Sequence, residues 1–263
     1  MVSGRRRVVV IGGGIAGVSI AGELSHDHDV VLLEAEETLA HHTTGRSAAV
    51  LLPGYGNKVV RELTQRSIAL YAERSKKYEV ELLEPRAFLQ IAGADRADML
   101  REIVEKTPTM HMIDIEDAFA MCPYLNRDAV AAAAIDETGS AIDVASLHQT
   151  YVREIAANGG VIVKNKRVDA IALRNTCVVS SGDESWDCDL VVNAAGAWGD
   201  VVAAMAGCKP VGLMPLRRTI FTAKVDPALG RGPMVFGTPE AYYFGLDHGV
   251  LLGSPADETL SEP

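Results

Sequence analysis

The sequence is poor in cysteines and aromatic residues. Phe, Trp and Tyr make up 5% of the 263 residues, and the four cysteines are Cys122, Cys177, Cys188 and Cys208. No two of these form a Cys-x-x-Cys pair, and no cysteine–histidine spacing is typical of zinc. We therefore predict reduced, structural thiols in a cytoplasmic protein that holds no metal.

Positive charge and long apolar runs are also scarce. Lys and Arg number 25 against 35 Asp and Glu, for a formal net charge of −10. Nothing in this charge balance favours binding to nucleic acid or to an anionic membrane. No segment approaches the roughly 20 apolar residues that a membrane span needs. The stretch Arg5–Ala21 imitates a secretory signal, but its four glycines favour a strand, a turn and a helix.

The N-terminal segment follows a β-α-β pattern. Arg7–Ile11 is a short β-branched run that predicts a buried parallel strand. Ile15, Val18 and Ala21 then recur at helical spacing, and Asp29–Leu33 predicts a second strand. The unit spans about 30 residues, as such units usually do.

A glycine pattern lies between the first strand and the helix. Gly12 permits a tight turn, Gly14 lets the backbone approach a pyrophosphate, and Gly17 allows close packing of helix on sheet. Glu34 follows 22 residues after Gly12, where a carboxylate can bind ribose hydroxyls. A lone Gly-x-Gly-x-x-Gly is a weak signal. Here the strand, helix, second strand and acidic residue agree, so the pattern predicts dinucleotide binding.

The rest of the chain predicts two domains interleaved in sequence. Residues 35–53 are expected to form a loop with a short helical turn around Ser47–Val50. The predicted helices are 57–78, 96–105, 146–157 and 200–206. The first of these has an amphipathic face of Val60, Leu63, Ser67, Leu70 and Tyr71. The predicted strands are 88–92, 130–135, 161–163, 167–173, 177–180, 189–193 and 250–252, with further strand-like runs from residue 210.

Six segments carry a resemblance to a known family. They read VIGGGIAGVS, TTGRSAA, AIDVASLHQTYVR, VVNAAGAW, LMPLRRTIF and YYFGLDHGVLLGSPA, and they lie between residues 8 and 256. The chain resembles the D-amino-acid oxidase-type flavoproteins, which include glycine oxidase, sarcosine oxidase and D-amino-acid dehydrogenases. Within that superfamily its segments are most similar to those of D-arginine dehydrogenase.

The resemblance implies an α/β fold and a non-covalent FAD. A Rossmann-like FAD-binding domain (residues 1–54 and 140–209) would be interleaved with an α+β substrate domain (55–139 and 210–263) built on a mixed or antiparallel sheet. The family pattern continues past the last residue, so the substrate domain is expected to be incomplete. The residues expected to bind FAD are Gly12, Gly14, Ile15, Ala16, Gly17, Glu34, Ala35, Thr43, Thr44, Gly45, Arg46, Ser47, Ala48, Val168, Ala195, Gly196 and Trp198.

The resemblance also implies a substrate site. Arg218 matches an arginine that binds the substrate carboxylate, and Tyr243 and Tyr55 match hydroxyls that close over the substrate. Val50, Phe88, Met234 and Phe236 are expected to line the pocket. Without the family, Arg218 beside Arg217 fits a surface basic pair equally well, and the tyrosines fit core aromatics.

Two departures from D-arginine dehydrogenase argue against arginine as substrate. Phe88 stands where that enzyme has the glutamate for the guanidinium, and Val50 stands where it has an active-site histidine. A buried Phe leaves a cationic side chain unpaired, which is costly.

The expected reaction is therefore oxidative deamination of a small or apolar amino acid. The electrons would pass through FAD to oxygen or a quinone. Two alternatives stay open: a truncated, non-catalytic chain or subunit of a heteromeric flavoenzyme, and a nicotinamide-dependent dehydrogenase. His41 and His42 suggest a metal, but adjacent histidines rarely share one, so we expect them to pack near the cofactor.

Overall fold

The computed structural model describes residues 4–173 and 176–263. The described chain divides into two compact units: 1–47, 144–215 and 260–263 form unit 1, and 48–143 and 216–259 form unit 2. Its α-helices are α1 (Ile15–Ser25), α2 (Lys58–Tyr78), α3 (Ala97–Lys106), α4 (Ile115–Met121), α5 (Val144–Ala157) and α6 (Gly199–Met205).

The strands of the described residues are numbered in chain order. They are β1 (Arg7–Ile11), β2 (Asp29–Leu33), β3 (Val50–Leu51), β4 (Leu83–Pro85), β5 (Phe88–Ala92), β6 (Met110–Ile113), β7 (Ala132–Asp136), β8 (Ser140–Ile142), β9 (Val161–Val163), β10 (Ala170–Leu173), β11 (Cys177–Ser181), β12 (Glu184–Cys188), β13 (Leu190–Asn193), β14 (Leu216–Arg217), β15 (Phe221–Lys224), β16 (Met234–Gly237), β17 (Tyr243–Asp247), β18 (Val250–Ser254) and β19 (Thr259–Leu260).

Unit 1 is built on a four-stranded parallel sheet in the order β13-β1-β2-β9. Successive residues of β1 point to opposite faces. Val8 and Val10 pack with Val18 of α1 and Ile155 of α5 on one face. Val9 and Ile11 face the other way, into a cluster shared with the antiparallel sheet β10-β11-β12. The N-terminal strand is therefore buried on both sides, which explains its unbroken apolar run.

Unit 2 is built on a seven-stranded mixed sheet in the order β15-β18-β17-β16-β5-β7-β6. Its pairs are antiparallel except β16–β5, which is parallel. Every residue of β5 is buried, as expected for a strand inside a sheet. A smaller antiparallel sheet, β3-β8-β4, belongs to the same unit. This mixture of α and β elements confirms the predicted fold class.

One local prediction is wrong. The short helical turn expected around Ser47–Val50 lies earlier, as a 3₁₀ turn at Thr44–Arg46, and Val50 already belongs to β3. The backbone of Ala49 accepts a hydrogen bond from the Ile142 N–H, 2.8 Å away. Pairing with β8, some 90 residues further along the chain, draws this segment into a strand, and no local pattern shows such a partner.

Helix α2 forms with the predicted amphipathic face, but the side chains of that face do not pack in a hydrophobic core. The helix begins after Asn57, whose side-chain oxygen accepts a hydrogen bond from the Val60 N–H. Leu63 and Leu70 are 58% and 60% exposed. Val60, Leu63, Ser67 and Tyr71 line a cavity of unit 2 instead.

Candidate cofactor and substrate sites

The glycine-rich turn of unit 1 has no room for side chains at two positions. Gly12 has φ +110°, and a Cβ there would lie 2.4 Å from the carbonyl oxygen of Ala194. A Cβ on Gly17 would lie 1.7 Å from the carbonyl oxygen of Gly12. Only glycine allows this backbone and the close packing of α1 on β1.

Glu34 is held at the end of β2 by backbone donors. Its Oε2 accepts a hydrogen bond from the Gly13 N–H at 2.7 Å, and its Oε1 accepts one from the Glu36 N–H at 2.8 Å. The side chain is 8% exposed. The carboxylate therefore ties the glycine turn to the strand that follows α1. Each carboxylate oxygen can accept a further bond, so ribose hydroxyls remain acceptable partners.

Two side chains from other segments support the same turn. Thr44 Oγ1 accepts a hydrogen bond from the Ile15 N–H at 3.0 Å, at the start of α1. His148 of α5, which is 3% exposed, places Nε2 2.9 Å from the Gly13 carbonyl oxygen. Because that oxygen only accepts, Nε2 of His148 is the donor. In the sequence, His148 is marked only by its place in the predicted helix 146–157 and in the AIDVASLHQTYVR segment.

The turn borders a cavity of about 310 Å³ that lies within unit 1. Ten residues of the predicted cofactor set line it: Gly12, Gly14, Glu34, Ala35, Thr43, Thr44, Val168, Ala195, Gly196 and Trp198. The others lie outside its wall, namely Ile15, Ala16, Gly17, Gly45, Arg46, Ser47 and Ala48. Gly17 acts through packing, and Ala48 lines the cavity of unit 2.

The residues of this cavity suit a dinucleotide. Side chains are absent where a pyrophosphate would approach Gly12 and Gly14, and α1 begins there with its positive dipole end. Glu34 supplies a carboxylate for ribose. The open space beside Gly196, where a Cβ would meet nothing within 4 Å, leaves room along the wall.

A histidine pair lines the same cavity. His42 Nε2 lies 3.1 Å from Glu36 Oε1, and the His42 ring is 4.8 Å from the Trp198 ring. This hydrogen bond lowers the pKa of the Glu36 carboxyl. Ligand atoms of Glu36, His41 and His42 lie within 4.8 Å of one another, which is close enough to hold a metal ion. Arg167 lies 3.4 Å from the same Glu36 oxygen, so His42 and Arg167 share it.

A second cavity of about 830 Å³ lies within unit 2. Six residues of the predicted substrate set line it: Arg218, Tyr55, Tyr243, Val50, Phe88 and Phe236. Met234 does not line the cavity. It is 1% exposed because Phe88 and Tyr243 pack with it in the core of the unit, although it shares a face of β16 with Phe236.

Two polar groups that line this cavity have charged partners. The Arg218 guanidinium lies 2.6 Å from Glu258 Oε1, and both side chains are exposed. Tyr55 donates a hydrogen bond to Glu240 Oε2 at 3.3 Å. The negative charge of Glu240 raises the pKa of the Tyr55 hydroxyl. Exposed pairs of this kind contribute little to stability, so a ligand can displace Glu258 from Arg218 at small cost.

Part of the cavity wall is aromatic. The rings of Phe88 and Phe236 stack with centroids 5.6 Å apart, and Phe236 contacts the Tyr243 ring at 5.7 Å. Tyr243 is 9% exposed. These three side chains come from β5, β16 and β17, which are neighbours in the sheet. The order of strands, which the sequence does not show, brings them together.

The fold and the glycine turn define a dinucleotide-binding oxidoreductase class, and the comparisons with known proteins name its family. Residues 7–262 match the family model described as "DAO: FAD dependent oxidoreductase". The chain belongs to this family, and its cofactor is FAD. The match covers nearly the whole chain and overrides the nicotinamide alternative.

The names of the similar proteins state different substrates. The chain is 24% identical to a glycerol 3-phosphate dehydrogenase of Caloramator mitchellensis, over 96% of this chain and 56% of that protein. It is 26% identical to the mitochondrial dimethylglycine dehydrogenase of Rattus norvegicus, over 95% of this chain and 31% of that protein. The glycine oxidase structure from Geobacillus kaustophilus superposes with a TM-score of 0.79 at 19% identity, covering 97% of this chain and 72% of that one.

The chain thus spans about half or less of the length of these two curated relatives. None of the helices in the part of the chain described here has the length and apolar character needed to cross a membrane.

Proposed function

We propose that the protein oxidises the CH–NH₂ group of an amino acid. Unit 1 would be the FAD-binding domain and unit 2 the substrate domain. FAD, held by residues of unit 1, would supply the two-electron acceptor for the hydride of the amine-bearing carbon, and oxygen or a quinone would reoxidise it. The product is an imine, which water hydrolyses to a keto acid and ammonia. The protein's own contribution is to bind, orient and desolvate the substrate.

One observation carries this proposal: Arg218 lines a largely apolar cavity together with Tyr55 and Tyr243. Arg61, Lys106 and Tyr71 also line this cavity. A guanidinium presents paired N–H donors that match a carboxylate, which the point charge of lysine does not. Bound there, the carboxylate would replace Glu258 as the partner of Arg218. Tyr243 and Tyr55 would add hydroxyl donors.

The walls of the cavity favour a small or apolar amino acid. Val50, Phe88 and Phe236 present hydrocarbon surface. Among the described residues that line the cavity, Glu240 is the one carboxylate, and it already accepts from Tyr55. The wall of Val50, Phe88 and Phe236 offers a cationic side chain no counter-ion, and burying a charge against it is costly.

For the cofactor, we propose that the predicted residues of unit 1 act in three groups. Gly12 and Gly14 with Thr43 and Thr44 would hold the pyrophosphate, and Glu34 the ribose. Val168 would contact the adenine through its backbone. The remaining predicted contacts in unit 1 are Ala35, Ala195, Gly196 and Trp198, which line the cavity, and Ile15, Ala16, Gly17, Gly45, Arg46 and Ser47, which lie outside its wall. The last predicted contact, Ala48, belongs to unit 2.

Oxidation of a hydroxyl-bearing carbon is the second candidate. The similarity to a glycerol 3-phosphate dehydrogenase favours this candidate, because the compound in that name has both an anionic group and an alcohol. Arg218 would bind the carboxylate of a 2-hydroxy acid as well as that of an amino acid. The two reactions are separated by offering substrates that differ only in NH₂ or OH on the same carbon.

The test of the substrate site is the Arg218→Lys variant. Losing a bidentate bond to a charged group costs about 1.5–3 kcal/mol, so KM should rise roughly 10- to 100-fold. Because Arg218 is absent from the unit 1 cavity, the amount of bound FAD should not change. Arg217→Lys is the matched control and should leave KM unchanged. Equal KM values for Arg218→Lys and wild type would contradict the assignment.

A further inference from the structure

Two cysteines face each other across a hairpin of unit 1. In the antiparallel pair β11–β12, Cys177 is directly opposite Cys188. Residues directly opposite in such a pair have Cα atoms about 4.5–5.5 Å apart and point to the same face. Disulfides need Cα separations of about 4.4–6.8 Å. The register therefore places the Cα atoms of these two cysteines within the separation that a disulfide needs.

The surroundings of the two sulfur atoms differ. Cys188 is 0% exposed, and Cys177 is partly buried against the same apolar cluster. Burial raises the pKa of the Cys188 thiol to about 11, so this thiol stays protonated at neutral pH. Cys177 is thus the thiol that an oxidant in solution meets first.

We propose that Cys177 and Cys188 form a reversible redox pair, oxidised to a disulfide by hydrogen peroxide. Peroxide transfers one oxygen to the Cys177 sulfur, giving a sulfenic acid and one water. The Cys188 sulfur then bonds to the Cys177 sulfur, and the sulfenic oxygen leaves with the Cys188 proton as a second water. Overall, two thiols and one peroxide give one disulfide and two waters.

The other two cysteines cannot make this bond. Cys122 is buried in the core of unit 2, among residues of β5 and α4. Cys208 follows α6 in an exposed position, and its sulfur contacts the carbonyl of Ala206. The register of β11 and β12 singles out one pair among the four thiols.

The disulfide would stabilise a cluster beside the cofactor cavity. Cys188 packs with Val9, Ile171 and Val179, and the same cluster includes Val168, which lines that cavity. A covalent link would tie the end of β12 to the start of β11, across the sheet that covers this side of the core. The inference rests on strand register and burial alone and is independent of the proposed substrate.

The experiment treats the full-length protein with hydrogen peroxide and maps its peptides without reduction. We expect a peptide linking residue 177 to residue 188, two thiols lost on titration of the denatured chain, and recovery of both with dithiothreitol. Four unchanged thiols, or oxidation of Cys177 beyond sulfenic acid without a link, would overturn the proposal.

The register of β11 and β12 is tested by moving one cysteine along β12 by one residue. The double variant Cys188→Ser, Asp187→Cys keeps the thiol count but moves one sulfur opposite Val178, on the other face of the hairpin. We expect no linked peptide from this variant and a dimedone adduct at Cys177 in its place. The peptide map of the wild-type protein does not depend on the variant, so it still tests the proposed disulfide if the double variant unfolds. A link from residue 187 to residue 177 would contradict the register argument.

Discussion

At the residue scale, the cofactor turn depends on side chains far away in sequence. Glu34 and Thr44 bond to backbone N–H groups of the turn, and His148 bonds to the Gly13 carbonyl from another helix. The first two were predictable as cofactor residues, because they lie in recognisable motifs. The role of His148 was not, since the approach of α5 to α1 is a matter of tertiary packing.

His148 is expected to be a positioning residue for FAD. Replacing it with Phe removes the donor to the Gly13 carbonyl, and a buried unpaired carbonyl costs about 1–3 kcal/mol. We expect His148→Phe to weaken FAD binding roughly 5- to 100-fold, measured by fluorescence titration of apoprotein. The matched control is His148→Gln, whose amide can donate to the same oxygen and should recover most of the affinity. If Phe and Gln behave alike, the hydrogen bond has no such role.

Tyr55 offers a test of the charges around the second cavity. The carboxylate of Glu240 raises the pKa of the Tyr55 hydroxyl, so the phenol stays neutral beyond its usual range. The neutral form is favoured in the folded protein, and this contribution to stability is lost as pH rises through the folded pKa. Glu240→Gln should lower the pKa of Tyr55, seen by alkaline ultraviolet titration against a Tyr55→Phe reference. An unchanged or higher pKa would contradict the pairing.

At the scale of elements, local pattern predicted the strands and helices that are long or regular. β1, α1 and β2 follow directly from an apolar run, a helical period and a glycine turn. The short elements β3, β4 and β8 escaped prediction, because each is held by pairing with residues distant in sequence. The same cause moved the helical turn from Ser47–Val50 to Thr44–Arg46.

The glycine turn predicts a graded response to an added methyl group. A Cβ on Gly17 would meet the Gly12 carbonyl at 1.7 Å, one on Gly14 would meet the Thr44 hydroxyl at 3.2 Å, and one on Gly4 would meet nothing within 4 Å. We expect Gly17→Ala to lower the melting temperature most, Gly14→Ala to lower the FAD content with little change in melting temperature because its methyl group would meet the pyrophosphate, and Gly4→Ala to change neither. Thermal unfolding and flavin absorbance measure the series. Equal behaviour of Gly17→Ala and Gly4→Ala would contradict the packing seen at α1.

At the scale of the whole molecule, the sequence indicated two domains whose segments alternate along the chain. The two units of the structure alternate along the chain as well. The structural boundaries fall at residues 47, 143, 215 and 259. The expected boundaries were 54, 139 and 209, and the last segment, 260–263, was expected in the substrate domain.

Family membership rests on segments spread over nearly the whole chain, so the sequence motifs and the family match agree on FAD. The donor group is harder to derive, because an arginine in a largely apolar cavity can hold either an amino acid or a hydroxy acid.

The central claim is that the bound flavin is reduced by an amino acid. The direct measurement is anaerobic absorbance of the purified, FAD-loaded protein during titration with alanine, with lactate, its 2-hydroxy analogue, as the matched control. The account predicts that alanine bleaches the flavin spectrum and that lactate does not. Bleaching by lactate alone, or failure of the protein to retain FAD, would contradict it.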